Sequence, residues 1–133
     1  MTLIESCVSV AILTAGAMIA VPSLIRARES YQLDAAARQV AGKMLLTRVK
    51  AIAGSRDCRI RLLSDVSLII ECQDPIWHLE ESFVLPRGLR MTATASPEFH
   101  RHGNVSPAAT IVVWNGGRSK RVIVNIAGRV RLE

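Results

Sequence analysis

Residues 1–25 read MTLIESCVSVAILTAGAMIAVPSLI, and Glu5 is the single formally charged side chain among them. At about 1.5 Å per residue, a helix of this length crosses the roughly 30 Å hydrocarbon core of a bilayer. Without Glu5 the run would be an ordinary anchor. A lone carboxylate in such a helix is costly and implies a partner for its charge. The core of a secretory signal is also apolar and N-terminal, but this run is longer, no basic segment precedes it, and helical periodicity continues past it.

Beyond the run, Arg26-Ala27-Arg28 forms a positive cluster at the expected membrane edge. Leu33, Ala37, Val40, Ala41, Met44, Leu45, Val49 and Ile52 then recur at three- to four-residue spacings, which predicts one apolar helical face. Arg38, Lys43, Arg48 and Lys50 occupy other faces, and Gly54-Ser55 supplies a stop signal. The expectation is one helix of about 50 residues, roughly 80 Å long. Gly16 and Pro22 weaken it, by roughly 1 and 3 kcal/mol for interior positions. Pro22 also lacks an amide donor, which predicts a bend or local opening.

From Arg59 the period changes to two. Arg59–Leu63 and Ser67–Cys72, separated by Ser64-Asp65-Val66, predict a hairpin in which facing residue numbers sum to about 130. That register sets Cys58 opposite Cys72, near the separation a disulfide needs. Trp77, Leu79, Phe83 and Leu85 alternate, broken by Glu81, and are expected to share one face; Pro86-Arg87-Gly88 turns the chain into Leu89, Met91 and Ala93. Residues 95–108, with two prolines and a glycine, predict a long loop holding at most one short strand. Asn115-Gly116-Gly117-Arg118 between Ile111–Trp114 and Arg121–Ile126 is a strong hairpin signal. Gly128 permits a last turn before Arg129-Val130-Arg131-Leu132. The fold class expected is α+β, a long N-terminal helix on an antiparallel β-sheet domain. Three segments follow: 1–25 apolar helix, 26–54 amphipathic helix, and 55–133 β domain.

Charge is segregated along the 133 residues. Residues 26–61 carry nine Lys/Arg against three Asp/Glu, residues 62–85 five acids and no base, and residues 86–133 eight bases against two acids. The acidic stretch suits contact with a basic neighbour, and the basic C-terminal third suits an anionic partner such as DNA or lipid headgroups. Cys7 lies in the apolar run as a small hydrophobe. His78, His100 and His102 supply one close pair, His100-x-His102, and no second pair at zinc-finger spacing, so no metal site is expected. The sequence has no Ser/His/Asp pattern, phosphate-binding glycine loop or recognisable carboxylate pair. It is therefore read as a non-enzyme without a cofactor.

Met1-Thr2-Leu3-Ile4-Glu5, continuing to Ala20-Val21-Pro22-Ser23, resembles the mature N-terminus of type IV pilins and type II secretion pseudopilins. Leu33-Asp34-Ala35-Ala36-Ala37-Arg38-Gln39, Leu85-Pro86-Arg87-Gly88, Phe99 with Gly103, and Gly128-Arg129-Val130 are similar to the FimT/GspH-like minor pilins. Position 1 is Met where that family usually has Phe. Either numbering begins at the processed, N-methylated residue, the reading preferred, or Met1 is an unprocessed start.

The resemblance implies a pilin fold and a minor pilin or pseudopilin held in the bacterial inner membrane, its globular domain periplasmic. From there it passes into an extracellular pilus or a periplasmic pseudopilus, with other major and minor pilins as partners and a place in the tip or priming complex. Glu5 would meet the Met1 amine of an adjoining subunit and set the stagger between neighbours, as a buried polar group sets register in a coiled coil. The segment holding Gly16 and Pro22 would unwind in the filament. The basic residues Arg118, Lys120, Arg121, Arg129 and Arg131 resemble the tail by which some FimT-like pilins bind DNA in natural transformation, through salt-dependent phosphate contacts.

Overall fold

The computed structural model describes residues 2–133. A single α-helix, α1, spans Leu3–Gly54. The chain divides into two compact units, residues 2–31 and residues 32–133.

In residues 2–31 nearly every residue is exposed, including Leu3, Ile4, Ile12, Leu13, Met18, Ile19 and Leu24. The α1 helix carries an 18-residue window of mean hydropathy 2.1, long and apolar enough to cross a membrane. Its hydroxyls turn back onto the helix: Ser9 Oγ donates to the Glu5 carbonyl at 2.8 Å and Thr14 Oγ1 to that of Val10 at 2.9 Å. Such back-bonding removes free donors that an apolar environment would penalise. The helix runs through Gly16 and Pro22 without interruption.

In residues 32–133 the remaining turns of α1 pack on nine strands. These are β1 (Cys58–Leu62), β2 (Ser67–Gln73), β3 (Trp77–Val84), β4 (Arg90–Ala93), β5 (Glu98–Phe99), β6 (Val105–Ser106), β7 (Ala109–Trp114), β8 (Ser119–Val124) and β9 (Val130–Leu132). They form two antiparallel sheets rather than one, ordered β3-β2-β1-β5-β6 and β4-β7-β8-β9. The expected loop over 95–108 holds two short strands, β5 and β6, paired with each other.

The buried face of α1 is Leu33, Ala36, Ala37, Val40, Met44, Thr47 and Ala51. It differs from the predicted face: Leu45, Val49 and Ile52 are 48%, 60% and 47% exposed. At 100° per residue these three lie well around the helix from the buried stripe, so the sequence carries apolar residues on two faces and spacing alone merged them. Thr47, the single buried polar residue among those described, donates its hydroxyl to the Lys43 carbonyl at 2.7 Å. Phe99, Ile60, Leu68, Ile70, Met91, Ile111 and Val122 complete the core from both sheets.

Helix α1 ends in a Schellman arrangement. Arg56 N–H bonds the Ala51 carbonyl at 3.1 Å and Ser55 N–H the Ile52 carbonyl at 3.3 Å. The left-handed residue is Ser55, at φ 49, and not the neighbouring glycine. Gly54 serves differently: a Cβ there would meet Arg56 Nε at 2.9 Å, so its bare Cα lets the Arg56 side chain fold back over the helix end.

The β1–β2 hairpin keeps the predicted register, from Cys58↔Cys72 to Leu62↔Leu68. The two sulfurs are bonded, with Cα atoms 4.0 Å apart. The face predicted for β3 is not kept. Its register against β2 shifts at Ile70/Glu71, a β-bulge that leaves Glu80 without an opposed partner. Phe83 lies opposite the buried Leu68, whereas Leu79 lies opposite Glu71 and is 61% exposed. One extra residue reverses the alternation, as expected for a period of two.

Candidate functional site

At the N-terminus, Glu5 N–H donates to Thr2 Oγ1 at 3.3 Å and Thr2 N–H donates to Glu5 Oε2 at 2.9 Å. This is a reciprocal capping box: Thr2 is the N-cap and Glu5 the third helical residue, satisfying two amides that the helix leaves orphaned. Thr-x-x-Glu is itself a sequence signal for such a cap, beyond the charge cost that first marks Glu5. The carboxylate therefore has a structural role before it meets any other chain. That bond engages one carboxylate oxygen, Oε2. Ser6, Ser9 and Val10 line a shallow notch beside Glu5, where small side chains leave the carboxylate accessible along one helix face. Met1, its expected partner, lies outside the described residues.

The acidic stretch of β3 finds its basic neighbour within residues 32–133. Glu81 pairs with Lys43. Glu80, thrust out by the bulge, accepts from Arg56 Nη2 at 2.9 Å, lies 3.6 Å from Lys50 Nζ and is 2.7 Å from His78 Nε2. The hydrogen bond with His78 is the largest influence holding the Glu80 carboxyl below its ordinary 4.5, helped by the Arg56 and Lys50 charges and opposed by burial. Charge segregation along the sequence thus becomes an ion-pair network clamping the last turns of α1 to β3.

The basic hairpin is divided by strand alternation. Val122 and Val124 are buried, so Arg121 and Ile123 point to the opposite face of β8, where Arg131 faces Ile123 from β9. Glu133 sits between the arginines, 3.4 Å from Arg121 Nη2 and 3.7 Å from Arg131 Nη2. Lys120 points the other way and lies 3.3 Å from Asp34 Oδ1 on α1. Arg118 follows the Asn115 turn and is exposed, as is Arg129, whose amide is held by Asn125 Oδ1 at 2.9 Å. The five residues do not form one uncompensated cationic face.

The turn carrying Arg129 is fixed from beneath. Gly128 has φ +80, and a Cβ on it would lie 2.2 Å from the Gly103 carbonyl oxygen. That same oxygen accepts from Arg48 Nε at 3.1 Å. Helix α1, the β5–β6 loop and the β8–β9 turn therefore meet at two glycines and one guanidinium.

A long N-terminal helix whose later turns pack on antiparallel sheets is the α+β fold of pilins and pseudopilins. Among solved structures, the minor pseudopilin EpsH of the Vibrio cholerae type 2 secretion system superposes with a TM-score of 0.67 at 18% identity, covering 77% of this chain and 96% of that one. The type IV minor pilin FimU of Pseudomonas aeruginosa gives 0.67 at 20% identity, covering 79% and 90%. The solution structure of Escherichia coli GspH gives 0.62 at 12% identity, covering 82% and 88%. No protein-family model and no curated protein sequence matches the chain.

Proposed function

We propose that this chain is a minor pilin or pseudopilin of the FimT/GspH type, a structural subunit of a type IV pilus or type II secretion pseudopilus. The observation that carries the reading is the fully exposed apolar helix of residues 3–25, with Glu5 its only charge, in a chain that has the pilin fold. So much apolar surface needs a cover. In the membrane that cover is lipid, with Arg26 and Arg28 at the headgroups; after extraction it is the helices of neighbouring subunits. The globular residues then face the periplasm, and the subunit joins other minor pilins in the tip complex that primes assembly.

Glu5 is the registration point. Its capping bond is internal, and the adjacent notch gives access to the α-amine of an adjoining subunit. Gly16 and Pro22 mark the segment that unwinds when neighbours supply the contacts an isolated helix lacks. Incorporation into sheared filaments, followed by immunoblotting, tests the reading: wild type is present, Glu5→Ala is depleted, and equal amounts of both refute it.

A DNA-capturing receptor pilin is the second reading. The exposed Arg118, Arg129 and Arg131 favour it, while Glu133 beside Arg121 and Arg131 opposes it.

A further inference from the structure

Side chains from two stretches about forty residues apart converge just beyond the end of α1. Asp57 comes from the α1–β1 link, Glu98 from β5, and His100 from the start of the β5–β6 loop. One ligand-type atom of each lies within 4.8 Å of the other two. His100 Nδ1 is 3.4 Å from Asp57 Oδ2 and 3.9 Å from Glu98 Oε1.

Both are ion-pair separations, lying beyond the usual hydrogen-bond range of about 2.7–3.2 Å. The shorter one also matches the edge of a coordination tetrahedron: bonds of about 2.1 Å from zinc to imidazole nitrogen and carboxylate oxygen place ligands roughly 3.4 Å apart. All three groups lie close enough to converge on one ion with small side-chain adjustments. Asp57 is oriented for this, because its other oxygen, Oδ1, accepts the Arg101 amide at 3.3 Å. A fixed outer partner of that kind positions ligating carboxylates. The three side chains are 24%, 32% and 29% exposed for Asp57, Glu98 and His100, sheltered yet open enough for a water as fourth ligand.

We propose that Asp57, Glu98 and His100 form a binding site for one zinc-class divalent cation. An imidazole nitrogen among the ligands argues against calcium and magnesium, which take oxygen. Two carboxylates and a neutral imidazole balance a +2 ion. The bound ion ties the α1–β1 link to the β5–β6 hairpin, beside the Cys58↔Phe99 pairing and next to the disulfide. The sequence reading weighed His100 only in the His100-x-His102 pair; folding brings Asp57 to Glu98 and His100. The inference goes beyond filament assembly and does not depend on it.

The test uses the full chain in detergent micelles, stripped with chelator and titrated with zinc chloride. The expected results are one zinc per chain by calorimetry and a rise in Tm of roughly 10 °C at a hundredfold excess over Kd. His100→Ala and Glu98→Gln each weaken binding at least tenfold, whereas His78→Ala and His102→Ala bind as wild type. Glu98→Gln keeps the shape of the side chain, so it still reports if His100→Ala fails to fold. The proposal is overturned by the absence of a one-to-one event, by an unchanged Tm, by Glu98→Gln binding as well as wild type, or by calcium binding in zinc's place.

Discussion

Gly128→Ala probes the three-way junction beneath the C-terminal turn. The substitution imposes two costs that the structure separates. A side chain at φ +80 is strained by about 1–2 kcal/mol. The new Cβ would also sit 2.2 Å from the Gly103 oxygen, where carbon–oxygen contacts normally begin near 3.3 Å, so that carbonyl must retreat by about 1 Å. Retreat breaks its bond from Arg48 Nε, and a hydrogen bond to a charged group contributes about 1.5–3 kcal/mol. The total is about 3–5 kcal/mol. Gly88→Ala is the control: its φ is +83 and nothing lies within 4 Å of a Cβ there, so it bears only the strain. Thermal unfolding followed by near-UV circular dichroism should place Gly128→Ala roughly 10 °C below Gly88→Ala. Equal transitions for the two variants would refute the junction.

Three further outcomes follow from the same geometry. Because the native Glu80 carboxyl lies below its ordinary 4.5, its contribution to stability is present above that pH and is lost as pH falls through the native value. Acid titration of Tm should therefore be shallower for Glu80→Gln than for wild type below pH 4.5, and parallel curves would refute the clamp. The Cys58–Cys72 bond leaves Cys7 as the free thiol among the described residues, so thiol reagent should count one per unfolded, unreduced chain and three after reduction. Removing that cross-link with Cys58→Ala/Cys72→Ala should cost about 3 kcal/mol in denaturant melts; a count of three before reduction contradicts the assignment. In gel shifts at low salt, Glu133→Gln should bind DNA more tightly than wild type and Arg129→Gln/Arg131→Gln more weakly; no retention of any of them removes the receptor-pilin reading.

The features legible in the sequence were local ones. The helix announced itself by length and composition, and the β1–β2 register followed from one turn between two strand-like runs, which set the two cysteines opposite each other. Features that needed three dimensions were misread or missed. The β3 bulge at Glu80 leaves no period to detect, so Trp77 and Leu79 were placed with Phe83. Apolar residues on two faces of α1 merged Leu45, Val49 and Ile52 into the core stripe. The ligand triad joins Glu98-x-His100 to Asp57, forty-one residues before Glu98, and no spacing rule links the two stretches. The capping box is different: Thr2-x-x-Glu5 is a complete local signal in the sequence.

The capping box also decides which measurement bears most directly on Glu5 as the point of subunit registration. Glutamine at the third helical position keeps a capping box intact but carries no charge. The quantity to measure is the amount of Glu5→Gln subunit in sheared filaments, relative to wild type and to Glu5→Ala, at matched membrane levels. If Glu5 registers the neighbouring subunit through its charge, Glu5→Gln is depleted as strongly as Glu5→Ala. Incorporation of Glu5→Gln at wild-type levels would show that the residue caps its own helix and does not register its neighbour.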